Sequence, residues 1–205
     1  MDIRIQTLDP ECFYHIYNRG INSGKIFENV DNYLFFLKQF SKYVTPVCDV
    51  YAYCLMPNHF HFVLKIKAKE ELLLFARNEL KLTKVNSEGL HAIQNVVSKQ
   101  ISKFISSYSQ SYNKVYNRHG ALLESPFKRK KIESEEYLRN LILYVHQNPV
   151  DLKRDFKTYK FSSYAAMLSN AKTNLKRTEV IELFDALDNF IFCHNNPFES
   201  FDFWK

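Results

Sequence analysis

Glycine and proline are scarce in this chain, with four glycines and six prolines among 205 residues. That scarcity excludes collagen-like repeats and flexible glycine-serine linkers, and it leaves few residues for tight turns. The four cysteines, Cys12, Cys48, Cys54 and Cys193, lie far apart and form no CxxC pair. We therefore expect buried thiols in a reducing compartment, and neither a disulfide framework nor a zinc site.

Long apolar runs are also missing. No stretch approaches the roughly 18 uncharged apolar residues of a membrane span, so we expect no membrane-spanning helix. The first residues, MDIR, are polar and carry no apolar core of a signal peptide. We therefore expect a cytoplasmic protein.

Two signatures of phosphate chemistry are absent as well. The chain has no GxxxxGK[ST] loop, so the sequence predicts no nucleotide hydrolysis. Its acidic residues do not cluster around the histidines, so a two-metal carboxylate site is not predicted either.

Basic and aromatic residues are in excess. The formal net charge is +6 and aromatic residues make up 16% of the chain. A polyanionic partner is a reasonable first expectation for such a charge. The hydrophobic fraction of 46% and the charged fraction of 24% are typical of a globular protein with a substantial core.

Hydrophobic periodicity predicts interleaved strands and helices. The predicted strands are 12–17, 48–55, 59–66 and 127–132. The predicted helices are 30–44, 69–82, 90–116 and 135–147, a short piece from 161, and 178–187. The short break between the second and third strands favours an antiparallel pair. The order of elements predicts an α+β fold in which helices cover one antiparallel sheet.

The pair His59 and His61 lies in the third predicted strand. Strand positions i and i+2 face the same side, so both imidazoles are expected to project together while Phe60 faces away. Two adjacent imidazoles are half of a divalent metal site. With seven histidines in the chain such a pair also arises by chance, so two unrelated surface histidines remain the alternative.

The predicted helix 135–147 places Tyr144 and Asn148 one turn apart on one face. An amide oxygen can ligate a hard cation, and a tyrosine hydroxyl one turn away could attack a group that the cation polarises. Tyr14 and Asn18 have the same spacing, and Tyr144 equally suits an aromatic residue at the edge of the core. The spacing alone does not decide between these interpretations.

Several segments, in order along the chain, resemble the IS200-like single-tyrosine transposases and their REP-associated branch. Residues 53–64, YCLMPNHFHFVL, closely resemble the HUH motif of that family, in which U is a bulky apolar residue. The other matching segments are FYHIYNRG at 13–20, NRHGALL through PFKR at 117–129, YVHQNPV at 144–150 and FSSY at 161–164. Together they cover roughly residues 12 to 165, and long ordered matches of this kind do not arise by chance.

The resemblance implies a ferredoxin-like α+β domain with helices on one or both faces of an antiparallel sheet. We expect this HUH domain to occupy residues 1–165, followed by a helical and aromatic extension at 166–205. The segment 67–100 looks longer than the usual connection in the family, and residues 166–205 match nothing in it.

The resemblance also implies roles for four residues. His59 and His61 would hold Mg²⁺ or Mn²⁺, and Asn148 matches the position of the third metal ligand, where IS200 members carry glutamine. Tyr144 matches the nucleophile, which would attack a DNA phosphate and leave a 5′-phosphotyrosine and a free 3′ hydroxyl. The expected activity is therefore a metal-dependent endonuclease and transposase that cuts and rejoins single-stranded DNA near hairpins.

Other side chains near this site have competing interpretations. Tyr108 and Tyr112 are alternative nucleophiles, but they lie in an apolar stripe that is typical of core packing. His15 could face the site from the first strand, although a packed core histidine is the commoner case. His146 falls on a different helix face from Tyr144, so no role is assigned to it.

The implied partner is single-stranded or hairpin DNA, which would place the protein at the nucleoid. The residues expected to bind its phosphates are Arg19, Lys114, Arg118, Lys128, Arg129, Lys130 and Lys131. Tyr116 or Phe127 could stack on bases. IS200-type enzymes dimerise and share active sites whereas the REP-associated branch need not, so a homodimer and a monomer are both open.

Two alternative functions remain at this point. One is a DNA-binding protein that keeps the fold without turnover, and the other is a metal-dependent phosphodiesterase that uses water as the nucleophile. The aromatic residues of the tail, Phe198, Phe201, Phe203 and Trp204, would fold back on the core or cover a partner.

Overall fold

Four antiparallel strands form one sheet in the computed structural model, which describes residues 6–82 and 93–196. The strands are β1 (Phe13–Arg19), β2 (Cys48–Met56), β3 (His59–Ile66) and β4 (Lys128–Ile132). Their order in the sheet is β2-β3-β1-β4, so β1 and β3 are the inner strands. This is the strand order of a ferredoxin-like unit, and the predicted α+β fold is confirmed.

Helices cover both faces of this sheet. They are α1 (Val30–Tyr43), α2 (Lys69–Asn78), α3 (Ile93–Val115), α4 (Glu135–Gln147), α5 (Tyr164–Met167), α6 (Arg177–Glu182) and α7 (Leu187–Asn195). The N-termini of α1 and α4 follow from the sequence, because the side chains of Asn29 and Ser134 accept hydrogen bonds from the backbone amides three residues later. No helix within the described ranges is long and apolar enough to cross a membrane.

The predicted boundaries are close for the central elements and wrong in the C-terminal part. β3 and α4 span 59–66 and 135–147 as predicted. The single helix expected at 178–187 is instead two helices, α6 and α7, because Asp185 adopts a positive φ of 66° and Ala186 is extended. The loop at 87–89, the helix start at 90–92 and the aromatic tail residues Phe198, Phe201, Phe203 and Trp204 lie outside the described residues.

The two faces of the sheet have different neighbours. On one face, Ile16, Phe60, Phe62 and Leu64 pack against α1, α2 and α3, and we call this the α1–α3 face. On the other face, Val63 and β2 residues such as Cys54 pack against α4, and we call this the α4 face. Because side chains alternate along a strand, the residues between those of the α1–α3 face must project towards α4.

The segment after α4 continues the core of the α4 face. Tyr159, Tyr164, Val180 and Phe190 are buried in the same cluster as the α4 residue Leu141. Backbone hydrogen bonds also connect this segment to β2, since the amide of residue 176 donates to the carbonyl oxygen of residue 50 at 2.9 Å. The segment therefore holds α4 against the sheet from outside. The predicted domain boundary at residue 165 stays a prediction.

We expect Phe62→Ala to lower the free energy of unfolding by roughly 3 to 5 kcal/mol, the usual cost of deleting a buried aromatic ring. Phe62 is buried on the α1–α3 face and stacks on Phe40 with ring centroids 4.2 Å apart. Phe192 is 63% exposed, so Phe192→Ala is the matched control, with an expected change below about 1 kcal/mol. Equilibrium unfolding in urea measures both, and equal effects would contradict the assigned core.

Candidate active site

Strand β3 presents His59 and His61 together on the α4 face. Their ring centroids are 5.1 Å apart with the rings nearly perpendicular. His59 is partly exposed, whereas His61 is fully buried. The intervening Phe60 is buried in the core of the opposite face. The structure thus brings the two imidazoles to the same side, as the period of a strand requires.

The C-terminal end of α4 brings Asn148 next to His59. The side-chain oxygen of Asn148, Oδ1, lies 3.4 Å from His59 Nε2. The amide nitrogen of the same side chain donates to the carbonyl oxygen of Tyr144 at 2.8 Å, which turns Oδ1 towards the imidazole. Asn148 keeps helical backbone angles and begins the short 3-10 helix Asn148–Leu152, so Pro149 follows without fraying this end.

Tyr144 lies on the same side of the sheet as the histidines. Its ring meets that of His61 edge to face, with centroids 5.6 Å apart. The side chain is partly exposed at the margin of the α4-face core. Tyr144, Asn148, His59 and His61 therefore form a single group, which we call the candidate active site.

The two alternative nucleophiles lie on the opposite face. Tyr108 and Tyr112 belong to the core formed with α1. The hydroxyl of Tyr108 donates to the carbonyl oxygen of Ile26, and that of Tyr112 donates to the Glu28 carboxylate at 3.0 Å. Burial raises the pKa of Tyr112 to about 12. Since the sheet separates both hydroxyls from the histidines, Tyr144 is the tyrosine of these three that could act together with His59 and His61.

A neighbouring amide orients the ring of His59. Asn58 Oδ1 lies 2.7 Å from His59 Nδ1, and the Asn58 amide nitrogen donates to the carbonyl oxygen of Ser23 at 3.3 Å. Because an amide oxygen can only accept, Nδ1 of His59 carries the proton. The lone pair of His59 is therefore on Nε2, the atom that faces Asn148.

His15 contacts His61, and the sequence did not predict this contact. Its Nε2 lies 2.8 Å from Nδ1 of His61, and His15 is only 2% exposed. In the β1–β3 register Tyr17 pairs with His61 and His15 pairs with Val63, so His15 lies diagonally next to His61. Strand alternation in the sequence could have placed His15 and His61 on the same face of the sheet. Their contact also depends on the register between β1 and β3, which the sequence pattern of each strand does not give.

Burial keeps these three imidazoles neutral. It lowers the pKa of His15 to about 3, and the positive charge of Lys130 acts in the same direction. Burial also lowers the pKa of His61 well below its ordinary value. For His59 burial lowers the pKa as well, although the contact with Asn148 opposes it. Neutral imidazole is the form that can donate a lone pair to a metal ion.

The donor set fits a divalent cation when the amide is included. No cluster of three His, Cys, Asp or Glu side chains suited to a metal lies within 6–82 and 93–196. The amide oxygen of Asn148 is the polar atom next to His59 that would complete a set of three donors. Adjacent ligands of an octahedral cation with bonds of about 2.1 Å lie about 3.0 Å apart. The 3.4 Å between His59 Nε2 and Asn148 Oδ1 is close to that separation.

The basic residues predicted to bind DNA do not share one surface. In β4, Lys128 and Lys130 lie near the rings of Tyr17 and Tyr137 on the α4 face. Arg129 and Lys131 alternate with them and therefore point to the α1–α3 face.

Arg129 and Lys131 already have protein partners on that face. Arg129 is 8% exposed and donates to the Ser98 hydroxyl at 2.8 Å, and Lys131 pairs with Asp9 at 3.2 Å.

Arg19 lies directly across from His59 in the sheet. It pairs with His59 in the β1–β3 register and is exposed to solvent. Arg19 and Lys128 both form ion pairs with Glu124. Lys114 and Arg118 are also exposed, but they lie at the end of α3 on the other side of the sheet. Among the seven residues predicted to bind DNA, Arg19, Lys128 and Lys130 therefore lie on the face of the sheet that carries the candidate active site.

A buried chain of hydrogen bonds fixes α4 to the elements around it. His146 lies 2.7 Å from the Ser163 hydroxyl and 2.8 Å from His194 Nε2. His194 Nδ1 lies 2.7 Å from the carbonyl oxygen of Phe190 and so carries a proton. A neutral imidazole carries one proton, so His194 Nε2 is an acceptor and receives the proton of His146 Nδ1. His146 Nε2 is then also an acceptor, and it receives the hydroxyl proton of Ser163. Every group in this series of hydrogen bonds is buried and has a partner, so we assign the series a structural role.

The buried histidine His194 in this series of hydrogen bonds predicts that the protein loses stability in mild acid. Burial lowers the pKa of His194 to about 4 from 6.5, so the unfolded protein binds the proton first and stability is lost as pH falls from 6.5 towards 4. Carboxylates add to the loss only below about pH 4.5, the ordinary value for Glu179. Between pH 6.5 and 4.5 we expect His194 to contribute on the order of 2 kcal/mol.

Urea unfolding at several pH values measures this loss. His194→Gln keeps an acceptor for His146 but removes the titrating group, so its stability should fall less over this range than that of the wild type. His119→Gln, at an exposed position, is the control for loss of a histidine. Identical pH dependence in the wild type and His194→Gln would contradict the assignment.

The fold is similar to that of a solved structure described as a REP-associated tyrosine transposase bound to a REP hairpin. The match has a TM-score of 0.54 and 10% sequence identity, and it covers 83% of this chain and 87% of that chain. The likeness shows the fold. At 10% identity the likeness does not identify catalytic groups. Their assignment rests on the distances and contacts described above.

Weaker structural matches also exist. Two structures of a bacterial tRNA(His) guanylyltransferase (Thg1)-like protein, with GTP and with ATP, give TM-scores of 0.39 and 0.42 at 11% identity. They cover 91% of this chain and 73% and 74% of theirs. No protein-family model matches the sequence. No curated protein matches it either.

Proposed function

We propose that this protein is a metal-dependent endonuclease and transposase-like transesterase that cuts and rejoins single-stranded DNA next to hairpins. The observation that carries the proposal is the convergence of Tyr144, Asn148, His59 and His61 on one face of the sheet. The fold likeness to a tyrosine transposase supports it. All four side chains come from one chain, so the site needs no second subunit, although a homodimer stays a prediction.

Tyr144 supplies the nucleophile in this proposal. Its hydroxyl oxygen attacks the phosphorus of a DNA phosphodiester, the bond from phosphorus to the 3′ oxygen breaks, and a 5′-phosphotyrosine forms. The phenolic proton passes to water, and the departing 3′ oxygen takes up a proton from water to become a hydroxyl. Attack of a 3′ hydroxyl on the phosphotyrosine reverses the step, so the strand is rejoined without nucleotide hydrolysis.

His59, His61 and Asn148 would hold the divalent cation, Mg²⁺ or Mn²⁺. When bound, that cation neutralises charge on the non-bridging oxygens of the phosphate. The protein fixes the positions of the three side chains that would bind this cation. Asn58 orients His59, and the Asn148 amide donates to the Tyr144 carbonyl oxygen, which ties the ligand to the helix turn that carries the nucleophile. Positioning of this kind contributes much of the rate in phosphoryl transfer.

Single-stranded DNA with a hairpin is the proposed substrate. The exposed Arg19 and the half-buried Lys128 and Lys130 border the site and would bind backbone phosphates. The solved structure of similar fold is described as bound to a REP hairpin, which supports a hairpin in the substrate. Lys114 and Arg118 lie on the other side of the sheet, where they would meet the DNA beyond the cut.

A covalent-capture experiment tests the proposal. The full chain is incubated with a hairpin flanked by randomised single-stranded arms, labelled at its 3′ end, with Mn²⁺ or with EDTA. We expect a denaturation-resistant protein–DNA band that carries the 3′ label and requires the metal. DNA binding without cleavage would favour the inactive DNA-binding protein. A free 5′-phosphate without the covalent band would favour the phosphodiesterase. Either result would overturn the proposal.

A further inference from the structure

The two histidines of the candidate active site are held by different kinds of neighbour. His59 Nδ1 meets an amide oxygen of Asn58, which can only accept a proton. His61 Nδ1 meets Nε2 of His15, a nitrogen that can either donate or accept. The chemistry of the neighbour fixes the proton position of His59, but it leaves two arrangements for His61.

Only one of those arrangements suits a metal ligand. If His15 donates to His61 Nδ1, then His61 carries its own proton on Nε2 and that nitrogen cannot ligate. If His61 Nδ1 donates to His15, the lone pair of His61 is on Nε2, as it is in His59. A ligating histidine usually gives its other N–H to an acceptor, and that acceptor sets both the orientation and the basicity of the ring.

We infer that His15 is a positioning residue, which accepts the Nδ1 proton of His61 and so holds His61 Nε2 ready for the divalent cation. The inference rests on the proposed metal site. His15 is suited to this role because it is 2% exposed and stacks on Tyr17 with ring centroids 4.5 Å apart, so its ring cannot turn freely.

The position of the His61 proton separates this role from simple packing. When His15 accepts at Nε2, its own proton is on Nδ1, a buried atom without a hydrogen-bond partner in the part of the chain that the structure describes. In the opposite arrangement the N–H lies on His61 Nε2, which is buried as well. Folding alone therefore does not set the direction of the His15–His61 hydrogen bond. Cation binding at His61 Nε2 requires the proton on Nδ1, so the proton position in the metal-bound protein reports on the role of His15.

Direct Mn²⁺ binding, followed by the electron paramagnetic resonance of the free ion, tests the inference without DNA. His15→Leu removes the acceptor, and we expect its affinity for Mn²⁺ to fall by about 10- to 100-fold. His15→Gln offers an amide oxygen in place of Nε2 and should stay within about threefold of the wild type. His119→Leu, at an exposed position, should bind as the wild type does. Melting temperatures of all variants identify any loss of folding.

A second measurement uses the wild-type protein alone. In the long-range ¹H–¹⁵N spectrum of histidine-labelled protein saturated with Mg²⁺, we expect the His61 proton on Nδ1. A proton on His61 Nε2, or unchanged Mn²⁺ affinity in folded His15→Leu, would overturn the role of His15 and leave the proposed function intact. Failure of the wild type to bind Mn²⁺ would instead overturn the proposed metal site and this inference with it.

Discussion

Replacement of Tyr144 by phenylalanine is expected to abolish the covalent protein–DNA band and to lower strand cleavage by at least about 10⁴-fold. The expected loss is large because removing a nucleophile stops the covalent route altogether, and what remains is the slow background reaction. The rings of Tyr144 and His61 meet edge to face, and phenylalanine keeps the aromatic ring at position 144. Binding of the hairpin should therefore be nearly unchanged, and single-turnover cleavage together with a filter-binding titration separates the two quantities.

Tyr112→Phe is the matched control for that experiment. Tyr112 was an alternative nucleophile in the sequence, and its hydroxyl instead contacts Glu28 on the opposite face of the sheet. We expect wild-type cleavage from this variant. A large loss of cleavage in Tyr112→Phe, with Tyr144→Phe still active, would show that the nucleophile was assigned to the wrong face.

Replacement of His59 by alanine is expected to lower metal-dependent cleavage by about 10³-fold, which corresponds to about 4 kcal/mol of transition-state stabilisation. His59 is partly exposed, so this variant should fold, whereas removal of the fully buried His61 would leave a cavity. The loss should be smaller at high Mn²⁺ concentration, because part of it reflects weaker binding of the cation. Cleavage rates measured across a Mn²⁺ titration give both effects.

His119→Ala controls for the loss of a histidine, since His119 is exposed at the end of α3. It should cleave at the wild-type rate over the whole Mn²⁺ titration. Equal rates for His59→Ala and the wild type would contradict the proposed metal site.

The parts of the site that depend on local periodicity could be predicted from the sequence. His59 and His61 share a face because a strand repeats every two residues, and Tyr144 and Asn148 share one because a helix turn spans about four residues. The bounds of β3 and α4 followed from the same patterns and from the N-cap at Ser134.

The contacts between those elements could not be predicted. The approach of Asn148 to His59 depends on how α4 packs on the sheet, and the contact of His15 with His61 depends on the β1–β3 register. The sequence also grouped Arg129 with the DNA-binding lysines, although strand alternation turns it towards Ser98. The interruption between α6 and α7 arises from the backbone conformations of Asp185 and Ala186, for which no sequence pattern was evident.

Similarity in fold and convergence of side chains support the proposed function from different directions. The fold likeness is independent of the four side chains, since it is a match of backbones at 10% identity. The geometry of the side chains is independent of the likeness, since it rests on distances within this chain. A fold can host unrelated functions, so the chemistry of the site is what the experiments must address.

Mass spectrometry of the trapped protein–DNA adduct tests the central claim most directly. After nuclease digestion of the DNA and proteolysis of the protein, the residual nucleotide marks the residue that carried the 5′ phosphate. We predict that this mass is found on Tyr144, in the peptide that ends α4. Attachment to any other residue, or a cleaved strand without any attached nucleotide, would contradict a tyrosine nucleophile at this position.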